Sequence, residues 1–225
     1  MLVKDAATIV HGLSKPSKMP GRGYSIPAQR CITGSQLAKV EGTVCSGCYA
    51  LKGNYAFKNV RDSLERRYQA IMNAIYAEKR FGALNGPVYR ERFIFAMVLL
   101  IEKWAKGYFR WHDSGDIQSV EHMEFIAEIA RRTPNVKHWI PTREIPILKR
   151  WVVGGGEIPS NLVIRVSAHK LEDTVMLKGA PKGITYSSVD SKVGYDCPAP
   201  TQENSCGDCR ACWNRDVENV DYHKH

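Results

Sequence analysis

Near the end of the chain stands "CGDCRACW", residues 206–213: three cysteines at C-x2-C-x2-C spacing with a tryptophan directly after the last. With Cys197 the group reads C-x8-C-x2-C-x2-C. A C-x2-C step lets two thiolates reach one metal centre, and two successive steps put three thiolates round one small volume. A single tetrahedral zinc more often uses two separated pairs, whereas three consecutive ligands and a fourth thiolate suit a [4Fe-4S] cluster. Cys197, Cys206, Cys209 and Cys212 are therefore the expected metal ligands. A [4Fe-4S] cluster is the expected cofactor, with structural zinc as the alternative. The fourth ligand is either Cys197, close in sequence, or Cys48, brought over by the fold. Trp213 either shields the centre from water or simply packs.

A second group lies at Cys31, Cys45 and Cys48, with Cys45 and Cys48 again forming a C-x2-C pair. These three thiols either support the first centre or make a second metal site of their own. A three-thiol cubane leaves one iron open, and that is the chemistry of radical enzymes. Clustering matters here, because isolated free cysteines act as small buried hydrophobes. The first residues, "MLVKDAATIVHGLSKPSK", lack the continuous apolar core of a signal peptide. The expected location is the cytoplasm, where thiols stay reduced and metal or catalysis is the better reading of clustered cysteines.

Further chemistry is expected where strands end. From residue 108 onward the sequence alternates strand-like and helical stretches. "YFRWH" stops at Asp113-Ser114-Gly115-Asp116. "VKHWIP" runs into Thr142-Arg143-Glu144, "NLVIRVS" into Ala168-His169, and "GITYSSV" carries Ser187 and Ser188. Helical patterns fill the gaps: "IQSVEHMEFIAEIARRT", then "PILKRWVV" with Pro146 in its first turn, then a turn or two at "LEDTVMLKG". Strand–helix alternation with short connections means right-handed crossovers and a parallel sheet. Four strands are legible, which points to a partial or tapered parallel β/α barrel of the α/β class. In such folds ligands bind beyond the carboxyl ends of the strands. Asp113, Asp116 and Arg143 are the candidate catalytic residues: the aspartates as acid, base or ribose-hydroxyl anchor, and Arg143 as a fork for a carboxylate or phosphate. Asp116 is equally readable as a helix cap, a role Ser119 also fits. Asp113, Asp116, Arg143 and Ser167 are expected round one cleft. His112 is read as facing the core, and Gly154 to Gly156 as a loop.

The chain has 225 residues, 44% of them hydrophobic, enough for a substantial core. It reads as one domain: an irregular arm over 1–30, an α/β core over 31–190 and a cysteine-rich tail over 191–225. Two long helices are expected in the core, about 54–80 and 88–105, separated by "GALNGP". The longest greasy run, "AMVLLI" at 96–101, is far short of a bilayer span, so no membrane partner is expected. The formal net charge of +9 favours anionic partners, whether small molecules or nucleic acid. Both signs mix along the helices, however, and no clear nucleic-acid patch is legible.

"CSGCYALKGNYAF", "FRWHDSGDIQS" and "CGDCRACW", in this order, resemble the phage "gene product eighty-eight" domain family over about residues 25–215. That resemblance implies a phage-borne auxiliary protein binding an iron–sulfur cluster, acting in the host cytosol. The "CSGCYA" segment is also similar to the cluster loop of radical enzymes that use S-adenosylmethionine, which implies that molecule as a cofactor. Three functions then compete. The first is an iron–sulfur protein with a redox or radical role at the strand ends, working with a redox partner or an anionic small molecule. The others are a zinc-stapled nucleic-acid-binding module and a non-redox enzyme with a structural metal.

Overall fold

The computed structural model describes residues 1–224; His225, the last residue of the expected tail, lies outside them. Seven strands form one all-parallel sheet. In chain order the elements are α1 (Val3–Val10), β1 (Arg22–Tyr24), α2 (Thr33–Leu37), α3 (Lys58–Ile75), α4 (Ala77–Trp104), β2 (Tyr108–Trp111), α5 (Val120–Arg131), β3 (Lys137–Thr142), α6 (Ile145–Val153), β4 (Leu162–Ser167), β5 (Ile184–Val189), β6 (Tyr195–Asp196) and β7 (Asn219–Tyr222). Across the sheet the order is β1-β2-β3-β4-β5-β7-β6. Strands follow one another in nearly sequential order and the sheet stays open between β1 and β6, the arrangement of a partial β/α barrel.

The four legible strands are β2 to β5. The other three sit in the segments read as arm and tail. β1 is three residues long and lies among glycines and prolines, while β6 has only two residues. The arm is thus more regular than expected. It opens with α1, whose Ala6 and Val10 are fully buried in the main core, and it supplies the sheet's first edge.

The long helices also differ in their boundary. One break falls at Tyr76, and a second at Gly82, the first residue of "GALNGP", where a non-helical backbone (φ 78°, ψ 168°) kinks α4 into two helices. Gly86 lets the two pieces meet across that kink: a Cβ there would stand 2.4 Å from the Glu78 Cα, on the helical turn before Gly82. The helical turn expected at 171–179 is absent. Leu171 N–H donates to the Gly42 carbonyl, Glu172 N–H to the Val189 carbonyl, and Lys170 pairs with Thr43. The backbone groups that a helix would have used are spent on the first cysteine loop and on β5.

Alternation along each strand sorts the sheet's two faces. Phe109, Trp111, Ile140, Ile164 and Val166 turn toward the helices and join Ile71, Leu100, Ile126 and Leu148 in the hydrophobic core. Tyr108, Arg110, Trp139 and Arg165 turn the other way. That face is covered by chain rather than helix: Met19 from the N-terminal arm and the segment around Trp213 from the tail. Among the described residues no helix is long and apolar enough to cross a membrane.

Candidate functional site

The two cysteine groups occupy different places. Cys197, Cys206, Cys209 and Cys212 line one hollow on the helix-free side of the sheet, together with Tyr195, Pro198, Trp213 and Val220. Its cavity volume is ≈ 20 Å³, and the ≈ 290 Å³ of empty space round it includes open solvent. Cys48 is not part of it. β6 and β7 position this group, since Cys197 follows β6 and its N–H donates to the Asp221 carbonyl on β7. The arm holds the other side, where Cys206 N–H donates to the Lys18 carbonyl.

Trp213 forms the floor. It is 4% exposed, donates from Nε1 to the Phe109 carbonyl at 3.0 Å, and meets Trp139 and Tyr108 edge-on. Packing and shielding are therefore one role here. The Cys212 sulfur lies 3.1 Å from the Tyr222 hydroxyl and the Cys209 sulfur 3.5 Å from that of Tyr195. Burial pushes the Cys212 thiol up to about 11, while the Tyr222 hydroxyl, Arg165 and Arg110 pull it back. Burial also raises Cys197 and Cys206.

The first group sits at the carboxyl edge of the sheet. Cys31, Cys45 and Cys48 lie on the connection between β1 and α3. That connection docks on the exit of β4, where Val44 N–H donates to the His169 carbonyl at 2.9 Å. The Cys31 and Cys45 sulfurs each lie 3.6 Å from the point where a Gly34 Cβ would stand, so glycine leaves room between them. Burial raises both thiols. Asp116 and Glu144 add to the rise at each, and Arg143 lowers Cys45. The cysteine trio and the strand-end residues thus share one electrostatic neighbourhood.

Within it the expected residues are only partly joined. Asp116 is buried and accepts from the Arg143 N–H at 2.9 Å through one oxygen and from the Ile117 N–H through the other. It does not cap α5; Ser119 does, accepting from His122 N–H. Burial pushes the Asp116 carboxyl up to about 7, against the hydrogen bonds that favour its charge. Arg143 gives its Nε to the Ala168 carbonyl at 3.1 Å, beside Ser167. Ser167 itself is turned inward and accepts from the Ser187 hydroxyl. Asp113 stands apart from that chain of contacts. Its carboxylate accepts from the Tyr55 hydroxyl, its carbonyl from Tyr49, and its N–H donates to Ser25. Gly115, at φ 83°, allows this corner, because a Cβ there would meet Ile26 at 2.3 Å. His112 faces the core, fully packed against His122.

Two functional side chains were hidden in the sequence pattern. Glu144, 2% exposed, accepts from Ile32 N–H and Thr33 N–H through one oxygen and from the Thr33 hydroxyl through the other, and so fixes the loop just after Cys31. Arg165 grips the C-terminal loop by its carbonyls. The signal for Arg165 is its place in "LVIRVS": a lone charge in an otherwise apolar or small buried strand requires local partners.

Among the described residues, no group of three or more His, Cys, Asp or Glu side chains stands arranged as a ready metal site. A common centre requires the thiols of either group to turn inward. The donor chemistry of the C-terminal hollow fits a thiolate-bound metal: four sulfurs on one lining, two hydroxyls beside them, and an indole floor that keeps water out. A wider groove on the helical face, lined by Ile9, His11, Glu65, Arg66 and Tyr89 among others, has no cysteine.

The family model described as Gene product 88 matches residues 2–215, and the chain belongs to that phage family. No curated protein and no solved structure matches the chain.

Proposed function

We propose that this member of the Gene product 88 family is an iron–sulfur protein. In this reading Cys197, Cys206, Cys209 and Cys212 hold a [4Fe-4S] cluster, and the reactive end is the strand-end mouth. The observation that carries the reading is that all four sulfurs of the C-terminal group line a single hollow. When bound, such a cluster supplies one-electron chemistry. The chain's own part is to orient the thiols, to offer the Tyr195 and Tyr222 hydroxyls to two of them, and to exclude water with Trp213.

At the mouth, Cys31, Cys45 and Cys48 are the ligands of a second, three-thiolate site. S-adenosylmethionine is the cofactor class suggested by the likeness of their loop to that of radical enzymes. Arg143 keeps its terminal N–H fork for an anionic substrate, since only its Nε is committed to the Ala168 carbonyl. Asp116, held near neutrality by burial, is suited to pass a proton at its carboxyl oxygens. Asp113 orders the two tyrosines that follow the cysteine pair.

Iron, sulfide and zinc analysis of protein prepared without oxygen tests this, on the wild type and on seven single Cys→Ala variants. Brown protein with iron and sulfide is expected, lost in Cys209→Ala. A separable set of irons is expected to depend on Cys31, Cys45 and Cys48. Full iron and sulfide in Cys209→Ala would sink the assignment. Zinc alone in the wild type would return the protein to the zinc-stapled reading.

A further inference from the structure

Two guanidiniums on the inner face of the sheet are enclosed, and one of them, Arg165, has no carboxylate beside it. Arg165 is 0% exposed. Its Nε donates to the Cys212 carbonyl at 3.2 Å, one terminal nitrogen to the Tyr186 and Val217 carbonyls at 3.0 Å each, and the other to the Ala211 and Asn214 carbonyls at 2.7 and 3.0 Å. Every N–H is spent, and all but one of the acceptors lie between Ala211 and Val217. Arg110 lies over the Trp139 ring, gives one N–H to the Met19 sulfur at 3.1 Å, and has a buried Nε with no acceptor. Thioether sulfur is a weak acceptor, and this cation is favoured by the Tyr49 hydroxyl and the Asp113 carboxylate, with Tyr222 and Cys212 adding to them. Among the described residues, neither arginine forms an ion pair with a carboxylate.

A buried cation without a counter-ion is costly, and that cost falls when an anion arrives. For Arg165 the place for one is the sulfur hollow. Arg165 touches the backbone of Cys212, and Arg110 lies over Trp139, which packs edge-on against Trp213 in the wall of the hollow. Four thiolates round one divalent zinc or one oxidised cubane make a dianionic centre. Arg165, which no carboxylate matches, and Arg110 beyond it set positive charge against that centre.

We infer that Arg165 is the positioning residue of the C-terminal cysteine site: it wraps Ala211–Val217 round its guanidinium before any metal arrives and, with Arg110, supplies the positive charge an anionic thiolate centre needs. The inference rests on the reading that this group binds metal. Its two halves are tested separately, so that failure of that reading is distinguishable.

The first measurement uses metal-free protein. Hydrogen exchange of the 209–217 amides is compared between the wild type and Arg165→Lys, with β3 and α5 as internal controls. Exchange at least tenfold faster in 209–217, with the controls unchanged, is expected. Equal exchange there would overturn the positioning role, whatever metal the protein holds. If Arg165→Lys loses protection throughout, the comparison is repeated at a lower temperature where β3 and α5 are protected, and equal exchange of 209–217 there overturns the role. The second measurement is the midpoint potential of cluster-loaded Arg110→Gln at full iron content. Removing a cation disfavours the added electron, so the potential is expected to fall by about tenfold in the one-electron constant, ~59 mV. An unchanged potential would overturn the charge role. Should the resident metal be zinc, the same variant is read by zinc affinity, with a roughly tenfold loss expected and no loss overturning it.

Discussion

Both cysteine loops are gripped by one buried charged side chain, and the two grips have opposite sign. Glu144 holds the first loop by its N–H groups, at Ile32 and Thr33. Arg165 holds the second by its carbonyls, at Ala211, Cys212, Asn214 and Val217. Backbone offers both kinds of handle, so either sign can order a loop. What differs is the field left behind. Glu144 joins Asp116 in making Cys31 and Cys45 harder to ionise, with Arg143 as the opposing charge at Cys45. Arg165 and Arg110 ease the ionisation of Cys212. Burial raises Cys197, Cys206 and Cys212 as it raises Cys31 and Cys45; what differs is that two arginines oppose the rise at Cys212, while two carboxylates add to it at Cys31 and Cys45. The outer pair stands at the edge of the sheet where parallel α/β proteins bind ligands. That contrast suits an enclosed centre inside and a reactive one at the mouth.

The largest expected effect strikes the inner group alone. Trp213→Ala removes an indole that is packed between Trp139 and Tyr108 and hydrogen-bonded to Phe109. A loss of about 3–5 kcal/mol is expected in denaturant unfolding. Alkylation of Cys206, Cys209 and Cys212 should quicken while that of Cys45 holds steady. A loss below about 1 kcal/mol would mean that the tail is held by Arg165 and the strands without its aromatic floor.

The next concerns the outer group and has a definite sign in pH. Asp116 keeps its proton in the folded chain up to about pH 7, whereas an unfolded aspartate ionises above about 3.9. Between those values the folded state holds a proton that the unfolded state has released. This contribution to stability is complete below roughly pH 4 and is lost as pH rises through 7. Three units at about 1.4 kcal/mol each set its ceiling near 4 kcal/mol. Unfolding at pH 5 and pH 7.5 should show the wild type losing stability across that interval and Asp116→Asn losing much less. Parallel slopes would remove Asp116 as the group responsible.

The contrast between the groups was half legible in the sequence. Cysteine spacing announces two clusters, because ligand spacing is a local property, and it put Cys197 and Cys48 forward as fourth ligand, with locality favouring Cys197. Only the topology separates them, since β6 carries Cys197 to the hollow and the β1–α3 connection carries Cys48 to the mouth. β2 to β5 were readable because each is a sustained extended run bounded by turn residues. β1 and β6 were not, being three and two residues long, and neither was β7, which is no shorter than β2 but is defined by the neighbours it pairs with. The 171–179 segment misled for the same reason: its helical pattern yields to hydrogen bonds with Gly42 and Val189, partners far away in the chain. Glu144 and Arg165 were visible as residue types, but their acceptors and donors come from loops that no local pattern places.

The smallest expected effect completes the comparison from the Glu144 side. Glu144→Gln keeps the size of the side chain and one carbonyl oxygen, which can still accept from Ile32 and Thr33. The amide nitrogen would replace the oxygen that now receives the Thr33 hydroxyl at 2.7 Å, and that hydroxyl can turn to accept instead. The charge assistance is lost while the connectivity is retained, so the cost should be about 1–2 kcal/mol. It should appear as faster hydrogen exchange over 31–37, with 209–217 unaltered. Arg165→Lys should give the mirror image, loosening 209–217 and leaving 31–37 alone. If either substitution loosens both loops, the two grips are one cooperative structure across the sheet, and the division into an enclosed inner site and an open outer one fails. If Glu144→Gln loosens neither, the first loop is held by its contacts with β4 and the His169 carbonyl, and the buried carboxylate serves the field at the mouth instead of the fold.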